Sequence, residues 1–145
     1  MRFEDARTLV ADCERLYAMV ADIERYPDFL PGWEDARVLA RTEEAMEVVQ
    51  TVRAGPMPVR FRTRALTRPP RGLDIQGSDG PFRRLHIAWR FRPAEDGCRI
   101  ELRVEVEARL GPLAHLIERL FRHQARELLD HFERRAHRLG LIRSD

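Results

Sequence analysis

The chain contains no lysine and no asparagine, and only two cysteines, two tyrosines and two tryptophans in 145 residues. All 26 basic residues are therefore arginine, a uniformity that fits the codon bias of a GC-rich genome. No apolar run approaches the roughly 20 residues that a membrane-spanning helix needs. The first residues, Met1-Arg2-Phe3-Glu4-Asp5, bring acids at once and lack the apolar stretch of a secretory signal. Cys13 and Cys98 stand far apart and form no CxxC pair. They read as small buried thiols of a reducing cytoplasm, not as a disulfide or a zinc site. No nucleophile elbow, phosphate loop or HExxH occurs. No repeat, low-complexity tract or Pro/Gly linker divides the chain, so we expect one domain over residues 1–145.

What is present is enough apolar residue for a core, 43% of the chain, with charge unevenly spread. Residues 51–92 carry ten arginines against two acids, whereas residues 1–50 carry six against twelve. The hydrophobic pattern changes twice along the sequence. Residues 2–10 read as a first strand with poor alternation. Asp12 then suits an N-cap, and Leu16, Met19, Val20 and Ile23 follow at helical spacing. Pro27 is expected to end that helix. Tyr26 to Trp33 is too rich in Tyr, Phe, Leu and Trp for a solvent loop, so it is expected at a cavity rim, near Gly80-Pro81-Phe82.

From Glu34 to Glu107 the period becomes two, interrupted by short turn-like separators such as Gly55-Pro56 and Glu95-Asp96-Gly97. That predicts a meander of antiparallel hairpins with one apolar and one charged face. Gly111-Pro112 opens a last helix whose stripe runs Leu113, Leu116, Ile117, Leu120, Phe121, Leu128, Phe132, Ala136 and Leu139, with Gly140 as its stop. Such a helix is about 40 Å long at 1.5 Å per residue. Seven strands span roughly 33 Å. One helix therefore lies across a whole curved sheet, giving an α+β helix-grip architecture with short helical structure after the first strand. A single ridge fills a wide trough incompletely, which leaves room for a dry cavity. Only Gln50 and Thr63 are polar among its inward strand positions.

Other clusters carry less. His123, Glu127 and His131 stand at i, i+4 and i+8 and read as a solvated salt-bridging flank, without a metal. The inward face offers no converging titratable groups, so no catalytic residue is assigned. Tyr17 and Tyr26 supply the only hydroxyl candidates near the mouth. Arg60, Arg62, Arg64, Arg90 and Arg92 are expected to share the wet face of the sheet with His86 and to meet an anionic partner there.

Val20-Ala21-Asp22-Ile23-Glu24-Arg25-Tyr26-Pro27-Asp28-Phe29-Leu30-Pro31-Gly32-Trp33 resembles the signature of the coenzyme Q-binding, START-like family. So do Asp79-Gly80-Pro81-Phe82-Arg83-Arg84-Leu85, Ala88-Trp89-Arg90-Phe91 and Cys98-Arg99-Ile100-Glu101-Leu102. The resemblance implies a START-like helix-grip fold with a hydrophobic ligand cavity. The leading function it implies is non-enzymatic binding of ubiquinone or another isoprenoid lipid in quinone handling or respiratory electron transfer, with no cofactor required. Its alternatives are a ribosome association toxin that blocks subunit joining and a polyketide cyclase or aromatase. Phe61, Trp89, Val48, Leu102, Leu120, Phe121 and Leu128 are expected in the cavity wall, and Tyr26, Phe29, Leu30 and Phe82 at its mouth. Expected partners are the hydrophobic molecule, an anionic membrane surface and a ribosomal subunit, with no DNA. The expected location is cytoplasmic, at the periphery of the inner membrane.

Overall fold

The computed structural model of the chain describes residues 1–143, and residues 144–145 of the expected domain lie outside the described residues. Strand β1 (Arg2–Leu9) leads into helix α1 (Cys13–Ala21) and a 3₁₀ helix (Ile23–Asp28). The meander follows: β2 (Trp33–Arg41), β3 (Ala45–Ala54), β4 (Met57–Arg68), β5 (Gly72–Gly77), β6 (Phe82–Ala94) and β7 (Gly97–Ala108). Helix α2 (Ala114–Arg138) closes the chain. The sheet is a single curved antiparallel layer in the order β1-β7-β6-β5-β4-β3-β2, so the first strand lies beside the last.

Period-two patterning produces that sheet because alternate side chains point to opposite faces. In β7, Cys98, Ile100, Leu102, Val104, Val106 and Ala108 are buried while Arg99, Arg103 and Glu107 are exposed. In β4, Val59, Phe61, Thr63 and Ala65 turn inward and Arg60, Arg62 and Arg64 outward. The α2 ridge of Phe121, Ala125, Leu128, Leu129, Phe132 and Ala136 fills the trough. Leu113, Leu116 and Leu139, expected in that stripe, are instead exposed: the ridge leaves the trough at both ends. The poor alternation of β1 also has a cause. Arg7 is only partly buried and reaches Asp130 (2.8 Å) and Glu133 (3.1 Å) of α2, so an ion pair occupies a core-like position.

Three local expectations are corrected. Asp12 stands at the N-cap of α1, but among the described residues no backbone N–H of the helix donates to its side chain; the carboxylate accepts from Arg143 at 2.8 Å instead. Pro27 does not end the helical stretch, since α1 stops at Ala21 and Pro27 lies inside the following 3₁₀ helix. Cys13 and Cys98, read as free thiols, form a disulfide that joins the start of α1 to β7. Their sequence separation of 85 vanishes in space because Leu9 pairs with Cys98 and the chain reverses at once into α1.

The molecule thus has two ends. One gathers α1, the disulfide, the β2–β3, β4–β5 and β6–β7 turns and the C-terminus of α2, where Arg143 N–H reaches the Val10 carbonyl at 2.7 Å. The other gathers the Leu30–Trp33 segment, the β3–β4 and β5–β6 turns and the β7–α2 connection. Among the described residues no helix is long and apolar enough to cross a membrane.

Candidate functional site

Between α2 and the concave face lies a cavity of about 40 Å³, walled by Phe61, Ile75, Leu85, Trp89 and Val104 from the sheet and Phe121, Ala125, Leu128 and Phe132 from the helix. Its exposed lining is almost wholly apolar. Its free space suits a few water molecules at most, well below the roughly 300 Å³ of an ordinary ligand pocket. Aromatic rings set its shape. Phe82 packs edge-on against Phe61 and Phe121, each at 5.0 Å. Phe132 meets Trp89 at 4.9 Å and Tyr26 at 5.4 Å.

The polar groups sit on the side toward the Leu30–Trp33 segment. Trp33 Nε1 donates to Gln50 Oε1 (2.9 Å), and Gln50 Nε2 donates to Thr63 Oγ1 (3.4 Å). The indole donor fixes the Gln50 amide, because only its oxygen accepts. Gln124 Nε2 donates to the Arg53 carbonyl (3.1 Å), which leaves Gln124 Oε1 buried without a partner. Outside this wall runs a groove of about 280 Å³, lined by Pro31, Gly32, Gly55, His123, Glu127 and His131 among others. Leu30, Trp33, Gln124 and Leu128 line both spaces, so these four side chains stand between cavity and groove. Gly32 makes the partition possible: at φ +88 a side chain is strained, and a Cβ there would stand 2.9 Å from Gln124 Nε2.

Six of the eleven expected ligand residues line the cavity: Tyr26, Leu30, Phe61, Trp89, Phe121 and Leu128. Val48 and Leu102 are buried in the core away from it, because alternation reveals which face a residue takes but not its depth along the trough. Phe82 is not at a mouth; it is fully buried behind Phe61 and Phe121. Phe29 packs on Phe132 at 5.1 Å beneath the Arg135 guanidinium, and Leu120 packs at the core edge near Gly55. The Tyr26–Trp33 segment shares an end of the sheet with Gly80-Pro81-Phe82, but its neighbour is the β3–β4 turn, where Arg53 N–H reaches the Gly32 carbonyl at 2.7 Å. Trp33, expected at the rim with the rest of its segment, lines the cavity, whereas Phe132 and Gln124 were not expected there. Gln124 carried a signal, standing at i+3 from Phe121 and i−4 from Leu128 on the apolar stripe.

Neither tyrosine offers a working hydroxyl. The Tyr26 hydroxyl donates to the Val20 carbonyl, and burial, with the Asp22 charge, pushes its pKa far above the usual phenol range. Tyr17 packs on Phe91 at 5.6 Å with a buried, unpartnered hydroxyl, and burial raises its pKa too. Glu127 lies 3.8 Å from His123 and 3.7 Å from His131 along the groove.

The convex face splits the expected arginine set. Arg90 turns onto Asp74 (3.1 Å), joined there by His86 (3.1 Å) and Arg68 (3.2 Å). Burial alone would raise the Asp74 pKa, but hydrogen bonds from Arg90 and His86 outweigh it and hold the carboxyl below the usual carboxylate range. Arg92 is held by Glu101 at 2.5 Å, and Arg64 lies 3.9 Å from Glu47. Arg60 and Arg62 have no carboxylate within 4.0 Å among the described residues. The expected patch is therefore a neutralised half on β5, β6 and β7 beside an uncompensated pair on β4.

Residues 9–133 match the family described as "Polyketide cyclase / dehydrase and lipid transport". The chain is 34% identical over 132 residues to the ribosome association toxin RatA of Pseudomonas aeruginosa, covering 86% of this chain and 87% of that one. It is 24% identical over 144 residues to the mitochondrial coenzyme Q-binding protein COQ10 homolog B of Xenopus laevis, covering 96% of this chain and 59% of that one. The Zhui aromatase/cyclase from Streptomyces sp. R1128 shares the fold at a TM-score of 0.85 and 15% identity, covering 95% of this chain and 94% of that one.

Proposed function

The chain belongs to the START-like polyketide cyclase, dehydrase and lipid transport family, and from that premise we propose that it is a non-catalytic binding protein for a small apolar molecule such as a quinone. The observation that carries this reading is the apolar, aromatic-walled cavity between sheet and α2. Among the described residues the locked Tyr26 is the one titratable side chain that lines the closed cavity, and the ionisable His123, Glu127 and His131 stand outside the partition in the groove, which favours binding over the acid–base chemistry of a cyclase. A bound ring and tail require the Leu30, Trp33, Gln124 and Leu128 partition to part, joining cavity and groove into one space. Burial of each CH₂ then contributes about 0.8 kcal/mol.

The test uses the two tryptophans in the wall. A short-chain ubiquinone is titrated while the fluorescence of Trp33 and Trp89 is followed, and solvent extracts of the freshly purified protein are examined by mass spectrometry. Saturable quenching and a co-purified lipid support the reading. Phe121→Asp places an unpartnered charge in the wall and is expected to abolish quenching. No quenching and an empty extract overturn it.

A second reading is favoured by a different observation: a ribosome association toxin is the relative at 34% identity. On that reading the chain docks on a ribosomal subunit, with the uncompensated Arg60 and Arg62 as phosphate contacts. Its test is subunit joining in a sucrose gradient with added protein. Loss of joined ribosomes, reversed by Arg60→Glu with Arg62→Glu, supports the second reading over the first.

A further inference from the structure

Four of the six large apolar side chains left exposed among the described residues gather at the groove end of the molecule: Leu110, Met57, Leu113 and Leu116. Leu110 is 91% exposed and Met57 53%. Met57 begins β4 directly after the β3–β4 turn, Leu110 and Leu113 belong to the β7–α2 connection, and Leu116 lies in the first turn of α2. Leu120, one helical turn on, approaches that same β3–β4 turn: a Cβ on Gly55 would lie 3.8 Å from it. Gly55 also lines the groove. Leu116 is thus linked through Leu120 to the groove rim, and the other three share its end of the molecule, so that together they form a lip beside the space that leads to the cavity.

Arginines surround the lip. Arg109 folds back to donate to the carbonyls of Ser78 (2.7 Å) and Gly80 (3.0 Å), which fixes a guanidinium beside Leu110. Arg60, Arg83 and Arg119 are exposed at the same end. None of these four has a carboxylate within 4.0 Å among the described residues. Two nearby acids are already engaged: Asp79 accepts the Arg62 backbone N–H (3.0 Å), and Glu118 accepts from the Met1 ammonium (3.1 Å) and Ala108 N–H (3.3 Å).

Monomeric surfaces seldom collect apolar side chains in one place without a partner. The alternation of leucine with arginine narrows which partner. The core of a protein interface is depleted of charge, whereas Arg109 adjoins Leu110 and Arg119 stands three residues from Leu116. RNA offers phosphates but no apolar phase for aliphatic tips. A lipid surface offers both, with the acyl boundary taking the leucines and the phosphates taking the guanidiniums. We propose that this end of the molecule docks on an anionic lipid bilayer, with Leu110, Leu113, Leu116 and Met57 inserted and the groove opening onto the membrane. The proposal rests on the apolar-ligand reading, to which it adds the phase that supplies the ligand.

The experiment is co-sedimentation of the full chain with vesicles of equal parts phosphatidylcholine and phosphatidylglycerol, at low and moderate salt. Wild type is compared with Leu110→Ser/Leu113→Ser/Leu116→Ser and, on the convex face, with Arg62→Glu/Arg64→Glu. The serine positions are exposed, so the fold should survive, and circular dichroism verifies it. The serine variant should bind vesicles at least about tenfold more weakly, the difference that 1.4 kcal/mol makes, and the convex variant should stay within about twofold. Salt should weaken wild type only in part, since screening spares the inserted leucines. A folded wild type that ignores the vesicles, or a serine variant that binds as well as wild type, overturns the proposal. So does a serine variant that keeps the vesicles but loses ribosomal subunits, or that turns a dimer into a monomer. Fluorescence quenching by short-chain ubiquinone is read on the same samples. Quenching without vesicle binding removes the docking surface alone, and vesicle binding without quenching removes the ligand reading alone.

Discussion

The two ends of this grip solve opposite problems with the same alternating strands. At the disulfide end the trough is closed by packing: Leu16 and Val20 of α1 are fully buried, Arg143 ties Asp12 to the Asp96 carbonyl, and β1 and β7 are so close that a Cβ on Gly97 would lie 2.1 Å from the Leu9 carbonyl oxygen. At the groove end Leu110, Leu113, Leu116 and Met57 stand in solvent, and four side chains alone separate the cavity from the groove. Nothing in the strand pattern distinguishes the two. The difference arises from what α1 covers. Its apolar face seals one mouth of the trough, and among the described residues no comparable helix covers the other, so the two ends of the trough are asymmetric by construction.

The comparison breaks most visibly at the sealed end. Leu16→Ala should cost about 2–5 kcal/mol in denaturant unfolding, the range for truncating a buried leucine into a cavity. Reduction of Cys13–Cys98 should lower stability by about 2–4 kcal/mol, because it releases an 85-residue loop in the unfolded chain; parallel melts with and without reductant measure this. Asp74→Asn should cost about 1–3 kcal/mol by stranding donors of Arg90 and His86. Its sign with pH is defined. The folded Asp74 pKa is depressed, so its contribution is present above the unfolded value of about 3.9 and is lost as pH falls through the folded value. The gap between wild type and Asp74→Asn should therefore close in acid, and a gap independent of pH would break the assignment. At the open end Gly32→Ala should cost only about 1 kcal/mol of backbone strain, since Gln124 yields as a flexible tip, while quinone quenching changes because the partition moves. Leu110→Ser should fall within about 0.5 kcal/mol of wild type.

The sheet and the last helix were legible in the sequence because burial on one face leaves a period-two record, and Val59, Phe61, Thr63 and Ala65 against Arg60, Arg62 and Arg64 is such a record. β1 was nearly hidden, since Arg7 satisfies itself against Asp130 and Glu133 and so breaks the alternation. The disulfide was illegible because strand order, not spacing, brings Cys13 to Cys98. For the cavity, pattern told inside from outside correctly at Val48 and Leu102, yet both lie away from the free space. Position along a curved trough depends on bulges such as those in the β2–β3 pairing at Trp33/Asp35 and Val38/Ala40, which leave no trace in periodicity. The surface was half legible. Arg60, Arg62 and Arg64 point outward as expected, but which arginines remain uncompensated depended on Asp74 and Glu101 being in reach.

The strand order also sets a schedule. β2 to β7 pair with sequence neighbours through short turns, whereas β1 pairs only with β7, nearly a hundred residues later. During synthesis the first strand and α1 must therefore wait while the meander assembles, because loop-closure entropy delays so distant a contact. Until Cys13–Cys98 closes that loop, the seam between β1 and β7 forms late and, by the same logic, opens early. In the reduced protein, mutations along it, at Ala6 or Ile100, should then speed unfolding far more than they slow folding. The disulfide at Cys13 and Cys98 thus clamps the one seam whose opening would otherwise set the folded lifetime.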